Sequence, residues 1–225
     1  MAGFPDVVQL TKILSDESRV QIMTSLMDGR YHTVHELAQI ARVQDHTVSY
    51  HLNEIKKLGW LHSFKQGRYH YFCLANADVA ELIEKAMYLS PQKPIRSFRE
   101  SEEHRQLAEG RSCYCHLAGK LGVRLLADLE RKGYLKLAGE QVYLTEAGER
   151  FFSDVGLDLE ELRRRKGCFV KVCLDWTERR FHLAGHLGTA FFKHAVEERW
   201  LKQHSVNRSV QLTAKGERAF RNMFE

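Results

Sequence analysis

The chain has 225 residues, with 34 lysines and arginines against 29 aspartates and glutamates, a formal charge of +5, 44% hydrophobic residues, 10% aromatic residues and three prolines. That apolar content can offset the backbone-ordering cost of at least one core, which excludes disorder, collagen-like repeats and a mini-protein needing staples. No apolar run approaches the roughly 18 residues that cross a bilayer, and Met1 to Leu10, with Pro5 and Asp6, lacks the basic and apolar stretches of a signal peptide.

Val7, Leu10, Ile13 and Leu14 recur at helical spacing, and Asp16 offers a cap for a second helix that carries Val20, Ile22, Met23 and Leu26 as far as Asp28-Gly29. Thr33 can cap a short helix with Leu37, Ala38 and Ile40. Another runs from Asp45 to Leu58, where Gly59 supplies a left-handed end. The period then changes: Trp60 to Phe64 and Tyr69 to Leu74 alternate like two strands around Lys65-Gln66-Gly67-Arg68. A last helix, Asp78 to Leu89, aligns Val79, Leu82, Ile83, Ala86 and Met87 on one stripe. Two helices, two short helices, a hairpin and a helix, in that order, predict a winged helix-turn-helix over residues 1–90.

Residues 91–110 open on Ser90-Pro91 and Pro94 and continue polar, which predicts a linker with a short solvated helix from Ser97 to Ala108. Beyond it the chain repeats itself. "HLAGKLG" at 116–122 recurs as "HLAGHLG" at 182–188, "GYLK" at 133–136 matches "RWLK" at 199–202, and "LTEAGERFF" at 144–152 matches "LTAKGERAF" at 212–220. Each copy, 111–160 and 161–225, is expected as a winged-helix-like unit with the order helix, helix, hairpin, helix. Such repeats pack together to bury a face that one cannot bury alone. The expected fold class is therefore mainly α with small β-hairpin wings (α+β): an amino-terminal winged helix-turn-helix plus two repeated units. The charge divides unevenly, with 9 basic and 10 acidic residues in 1–90 against 21 and 15 in 111–225.

The phrases "LSDESRVQIMTSLMDG" (14–29), "TVHELAQIARVQDHTVSYHLNEIKKLGWL" (33–61) and "GRYHYFCL" (67–74) resemble the bacterial ArsR-type repressors over essentially all of residues 7–89. "CYxHLAG" at 113–119 and "CLDWxERRxHLAG" at 173–185 resemble longer ArsR-like regulators of unassigned ligand. The resemblance implies a cytoplasmic, homodimeric, DNA-binding transcriptional repressor, with the stripes at 7–14 and 79–89 available for pairing. The positions where such proteins usually bind metal read Thr33 to Ile40 here, without cysteine, and the last helix offers Asp78, Glu81 and Glu84 without histidine.

A helix beginning at Asp45 turns His46, Thr47, Ser49, Tyr50 and Asn53 outward while Val48, Leu52 and Ile55 hold it to the core. Gln44, Thr47, Ser49 and His51 have the donors to meet base edges or phosphates of double-stranded DNA. Lys56, Lys57, Lys65 and Arg68 suit the phosphate backbone, the last two from the wing tip. In the second half, Cys113, Cys115, His116, Cys168, Cys173 and His182 are candidates for metal or thiol sensing, with zinc, copper(I) or haem iron as possible cofactors. An odd count of five cysteines fits thiols or metal better than a disulfide framework.

The plainer readings are that His116 and His182 are caps or packed residues at helix starts, that no cofactor binds, and that Cys73 is core. Aromatic residues Tyr114, Trp176, Phe181, Phe191, Phe192 and Trp200 form an alternative pocket for a small organic ligand. A further alternative is an architectural protein in which all three units grip DNA. No nucleophile elbow, phosphate-cradling loop or paired acid and base points to an enzyme.

Overall fold

The computed structural model describes residues 4–204 and 207–225; Met1 to Gly3, at the start of the expected first domain, lie outside the described residues. The chain forms two compact units, 1–83 and 84–225. In the first, α1 (Val7–Leu14) and α2 (Glu17–Ser25) are followed by β1 (His32–Thr33), α3 (Val34–Ala41), α4 (Asp45–Lys57), β2 (Leu61–Gln66), β3 (Tyr69–Leu74) and the start of α5 (Ala77–Leu89). Local chemistry sets these boundaries. Asp16 Oδ1 accepts from Arg19 N at 2.9 Å to open α2. At the start of α3, Thr33 N donates to Glu36 Oε2 at 2.7 Å while Glu36 N donates to Thr33 Oγ1 at 3.3 Å, a reciprocal capping box. The strands form an antiparallel sheet in the order β1-β3-β2. Ile22, Met23, Leu26, Leu37, Val48, Leu52, Ile55 and Leu74 are buried beneath it and between the helices.

The second unit begins at Glu84, within α5, and takes in residues 91–110. That stretch, expected as a linker with a short solvated helix from Ser97 to Ala108, carries α6 (Phe98–Glu109), capped by Ser97 Oγ and packed against the helix that follows. The first copy of the repeat then runs β4 (Arg111–Cys113), β5 (His116–Ala118), α7 (Gly119–Arg131), β6 (Leu135–Ala138), β7 (Gln141–Leu144) and α8 (Glu146–Asp154), with α9 (Leu159–Arg164) after it. The second runs β8 (Lys171–Leu174), β9 (Phe181–Ala184), α10 (Gly185–Glu197), β10 (Leu201–Gln203), β11 (Val210–Leu212) and α11 (Ala214–Phe224).

The mixture of helices and small antiparallel hairpins is the expected class, but the order within each copy differs: it is hairpin, helix, hairpin, helix. The "HLAG" phrase ends a strand instead of opening a helix, because Gly119 (φ 75°) and Gly185 (φ 76°) turn the backbone left-handed between strand and helix.

The two copies share one core. Leu117, Leu125, Leu126, Leu129 and Phe152 of the first join Leu183, Leu187, Phe191, Phe192 and Phe220 of the second in a single buried cluster. Packing is reciprocal: α7 lies against β9, and α10 against β5. Phe191 and Phe192, expected as part of an aromatic pocket, are therefore core, and Phe181 and Trp200 pack against the same cluster.

Both copies close their second hairpin in the same way. Thr145 Oγ1 accepts from Gly148 N at 3.0 Å and Thr213 Oγ1 from Gly216 N at 3.0 Å. A methyl group at Gly148 would lie 2.0 Å from the Tyr134 carbonyl oxygen, and one at Gly216 would lie 2.1 Å from that of Trp200. Gly148→Ala and Gly216→Ala are each expected to lower stability by about 1–3 kcal/mol through this backbone clash. Denaturant midpoints unchanged from the parent protein would show that the helix can shift away without cost.

Candidate nucleic-acid interface and a buried cysteine and histidine site

The face of α4 opposite the core is polar. His46, Tyr50, Asn53 and Lys57 are exposed at intervals of four, three and four residues, and Tyr50 keeps 59% of its surface accessible. Thr47 and Ser49 flank them half-buried, with Ser49 Oγ donating to Asp45 O at 2.9 Å. Gln44 stands at the cap position of α4 and makes no side-chain capping bond.

The β2–β3 hairpin turns at Gly67 (φ 58°), next to exposed Lys65 and Arg68. The Arg68 guanidinium lies 5.0 Å from the Tyr69 ring centre and donates to Tyr69 Oη at 2.8 Å. Two lysines of α4 already have local partners: Lys56 Nζ donates to Ser63 Oγ at 2.9 Å, and Lys57 pairs with Glu54 at 2.5 Å.

His51 departs from expectation. It is buried at 6% exposure with Nε2 3.8 Å from Asp16 Oδ1, so it does not lie on the outward face. The spacing carried this signal, since position 51 is three residues after Val48 and four before Ile55, on the core stripe.

In the second unit, two antiparallel hairpins each set a cysteine directly opposite a histidine: Cys113 pairs with His116 across β4–β5, and Cys173 with His182 across β8–β9. Opposed residues project from the same face of a hairpin. Donor atoms of Cys113, His116 and His182 all lie within 4.8 Å of one another, and the two imidazole rings are 5.1 Å apart. Cys113, His116 and His182 are buried, at 2%, 8% and 0% exposure. Cys173 is half-buried on β8; interaction between the two thiols, together with burial, pushes the Cys113 thiol well above its ordinary range, and the same interaction lowers Cys173.

Neither histidine opens a helix, and neither is a cap. Nδ1 of His116 and both ring nitrogens of His182 are buried without a hydrogen-bond partner. Of the other cysteines expected at a sensing site, Cys115 sits half-buried in the β4–β5 turn and Cys168 is exposed ahead of β8, its Sγ donating to Val170 O at 3.3 Å. Cys73 is buried on β3.

Beside the cluster runs a fully buried ion pair, Arg111 to Asp175 at 3.0 Å. Asp175 Oδ2 accepts from Gly119 N at 2.7 Å, and its Oδ1 accepts from the amides of Thr177 and Glu178 and from the Thr177 hydroxyl at 2.7 Å. Burial opposes ionisation of Asp175, but the Arg111 guanidinium and these donors outweigh it and hold the carboxyl well below the usual range. The carboxylate also stands 3.5 Å from His182 Nδ1. A second buried pair, Glu84 to Arg208 at 2.9 Å, lies within the same unit, with Arg208 also donating to Ser112 O at 3.1 Å. Sequence reasoning missed Arg111 and Arg208, because nothing local distinguishes them from surface arginines.

Residues 16–63 match the family described as "Bacterial regulatory protein, arsR family". Over 216 residues the chain is 38% identical to the uncharacterized HTH-type transcriptional regulator YdfF of Bacillus subtilis (strain 168), covering 96% of both proteins. The chain belongs to the ArsR family of transcriptional regulators. Members are DNA-binding regulators rather than enzymes, and this one extends the family domain with the duplicated half. It is also 38% identical over 80 residues to the cadmium resistance transcriptional regulatory protein CadC of Listeria innocua, covering 36% of this chain and 67% of that protein. Among solved structures, HlyU from Vibrio cholerae is 27% identical and covers 38% of this chain and 92% of its own, with a TM-score of 0.35. No helix among the described residues of this ArsR-family chain is long and apolar enough to cross a membrane.

Burial lowers the His116 pKa from its ordinary 6.5 to about 4, with the charge of Glu84 opposing in part, and lowers His182 as well. The unfolded chain takes up these protons at an ordinary pKa and the folded chain does not. Stability is therefore complete above the unfolded value of 6.5 and declines as pH falls from there toward 4. For His116 alone the loss is about 3 kcal/mol across that window. Denaturant unfolding of chelator-treated protein at several pH values measures it, and a stability flat through this range would contradict the burial of both rings.

Proposed function

We propose that this ArsR-family chain is a homodimeric, sequence-specific repressor, acting in the cytoplasm, whose first unit reads double-stranded DNA and whose second half senses an effector. The observation that carries the DNA reading is the α4 stripe. His46 and Tyr50 stand exposed beside Thr47 and Ser49 at the helix's amino-terminal end, the end that meets base edges when such a helix enters the major groove. Gln44 stands just ahead of them. Lys56 and Lys57 at the far end, with Lys65 and Arg68 on the wing, suit phosphate contacts that set register. His51 drops out of this set.

One α4 reads only a half-site, so two chains are needed for a full operator. Val7 and Val8 of α1, 61% and 59% exposed, are available for that pairing.

CadC is named for cadmium resistance. In this chain the stretch Thr33 to Ile40 holds no cysteine, and the buried cysteines and histidines of the second unit are the candidates for an effector site. This supports a division of labour in which the duplicated half responds and the first unit binds.

Two measurements test the DNA reading, each on an operator selected from random duplexes with the parent protein. Ser49→Ala with Tyr50→Ala is expected to abolish preference for the selected duplex while leaving the unfolding midpoint in place; unchanged preference would remove α4 from the interface. Lys65→Ala with Arg68→Ala should weaken all duplexes alike and reduce the salt slope of log affinity by about 2, at roughly 0.9 for each phosphate that is no longer neutralised. An unaltered slope would show that the wing does not touch the backbone.

A further inference from the structure

We propose that Cys113, His116, Cys173 and His182 form a binding site for one zinc(II) ion, built from one cysteine and histidine pair of each repeat copy. Three observations meet there. Each pair is fixed by hairpin register, Cys113 opposite His116 and Cys173 opposite His182. Donor atoms of three of the four residues already lie within 4.8 Å of one another, and the fourth, Cys173, stands directly opposite His182 across β8–β9. Finally, His182 is wholly inaccessible yet neither ring nitrogen makes a hydrogen bond, and His116 Nδ1 is likewise buried and unpartnered. Buried polar groups are ordinarily satisfied, so unsatisfied nitrogens on both imidazole rings beside two thiols call for a partner.

A zinc ion supplies it. Two thiolates and two imidazoles are a tetrahedral zinc donor set, in which bonds of about 2.0–2.3 Å put neighbouring donors roughly 3.3–3.8 Å apart. From separations of up to 4.8 Å, the donors of Cys113, His116 and His182 need to close by about an ångström, a side-chain movement rather than a change of fold. The surroundings suit a ligating histidine too. Asp175 Oδ2, 3.5 Å from His182 Nδ1, is placed to accept that proton and leave Nε2 for the metal, the usual carboxylate support of a zinc-bound imidazole. The close approach of the donors suits one ion held between them. Among the described residues no other group of three or more cysteine, histidine or acidic side chains converges in this way.

Metal binding here stands apart from DNA binding; only its regulatory use rests on the sensing role proposed above. The full-length protein, reduced and stripped with a chelator, is titrated with zinc(II) against a chromophoric competitor and, separately, with cobalt(II) as a spectroscopic stand-in. One equivalent per chain is expected, with cobalt giving the strong visible bands of a tetrahedral site and a thiolate charge-transfer band in the near ultraviolet. Cys173→Ser, at the half-buried position, and Cys113→Ser should each weaken zinc binding more than about a hundredfold and diminish the charge-transfer band, while Cys115→Ser and Cys168→Ser bind as the parent does.

Thermal unfolding without metal checks that each variant folds, and His182→Gln provides a third arm should Cys113→Ser fail to do so. Failure to bind zinc, an octahedral cobalt spectrum, undiminished binding in the cysteine variants, or a Cys113–Cys173 disulfide under reducing conditions in place of metal would each overturn the proposal. Zinc binding with operator affinity unchanged supports the metal site and overturns the sensing role; loss of operator binding by the Ser49 and Tyr50 variant bears on neither.

Discussion

The second unit is organised by the ion pair between Arg111 and Asp175. Two charges wholly removed from water carry a desolvation cost of several kcal/mol each, which their attraction offsets only when the remaining donors and acceptors are also engaged. Here many are: Asp175 receives two backbone amides of its own loop, the Thr177 hydroxyl and the Gly119 amide of the other copy, while the Arg111 guanidinium sits 4.6 Å from the centre of the Trp176 ring and donates to Leu107 O and Thr177 Oγ1. The pair joins the first strand of one copy to the loop leaving β8 in the other. A pair of this kind is weak as net stabilisation and strong as a constraint on register, because any slip strands a buried charge. The positions of Cys113, His116, Cys173 and His182 follow from that register.

What the sequence revealed and what it hid differ for physical reasons. The first unit was legible because its helices are long enough to show a 3.6-residue period and carry their own stop signals, such as the Thr33 and Glu36 capping box and the left-handed Gly59. The burial of His51 was readable from the same period, yet its polar side chain argued the other way. In the second half the duplication was plain, but strands of three or four residues are too short to declare a period of two, so "HLAG" passed for a helix start. Of the six candidate sensing residues, four face one another in pairs across the two hairpins, and Cys115 and Cys168 lie outside those pairs. Cys113 and Cys115 are two apart in sequence, and only hairpin register separates one facing His116 from one in the turn. Glu84 and Arg208, 124 residues apart, had no signal in common.

Charge takes on a different meaning once the fold is known. The unit that carries α4 lies in the slightly acidic part of the chain, so the proposed DNA reading rests on a few placed side chains and on pairing of two chains rather than on a broad field. Much of the basic excess of the second half is engaged locally: Arg163 with Glu149 and Glu160, Arg165 with Glu161, Arg131 with Asp128, and Lys215 with Glu198. Exposed pairs like these add little stability and leave a mixed, solvated surface.

Reciprocal packing of α7 on β9 and α10 on β5 gives the duplicated half the architecture of a dimer whose subunits have been fused into one polypeptide. A dimer of identical chains would be obliged to accept every substitution twice, on both sides of a shared site. Fusion lifts that obligation. One copy has kept a two-residue turn, Tyr114-Cys115, while the other carries the longer Asp175 to Arg180 loop with its buried carboxylate, so the two sides of one cluster have been free to acquire different neighbours while keeping the same cysteine and histidine.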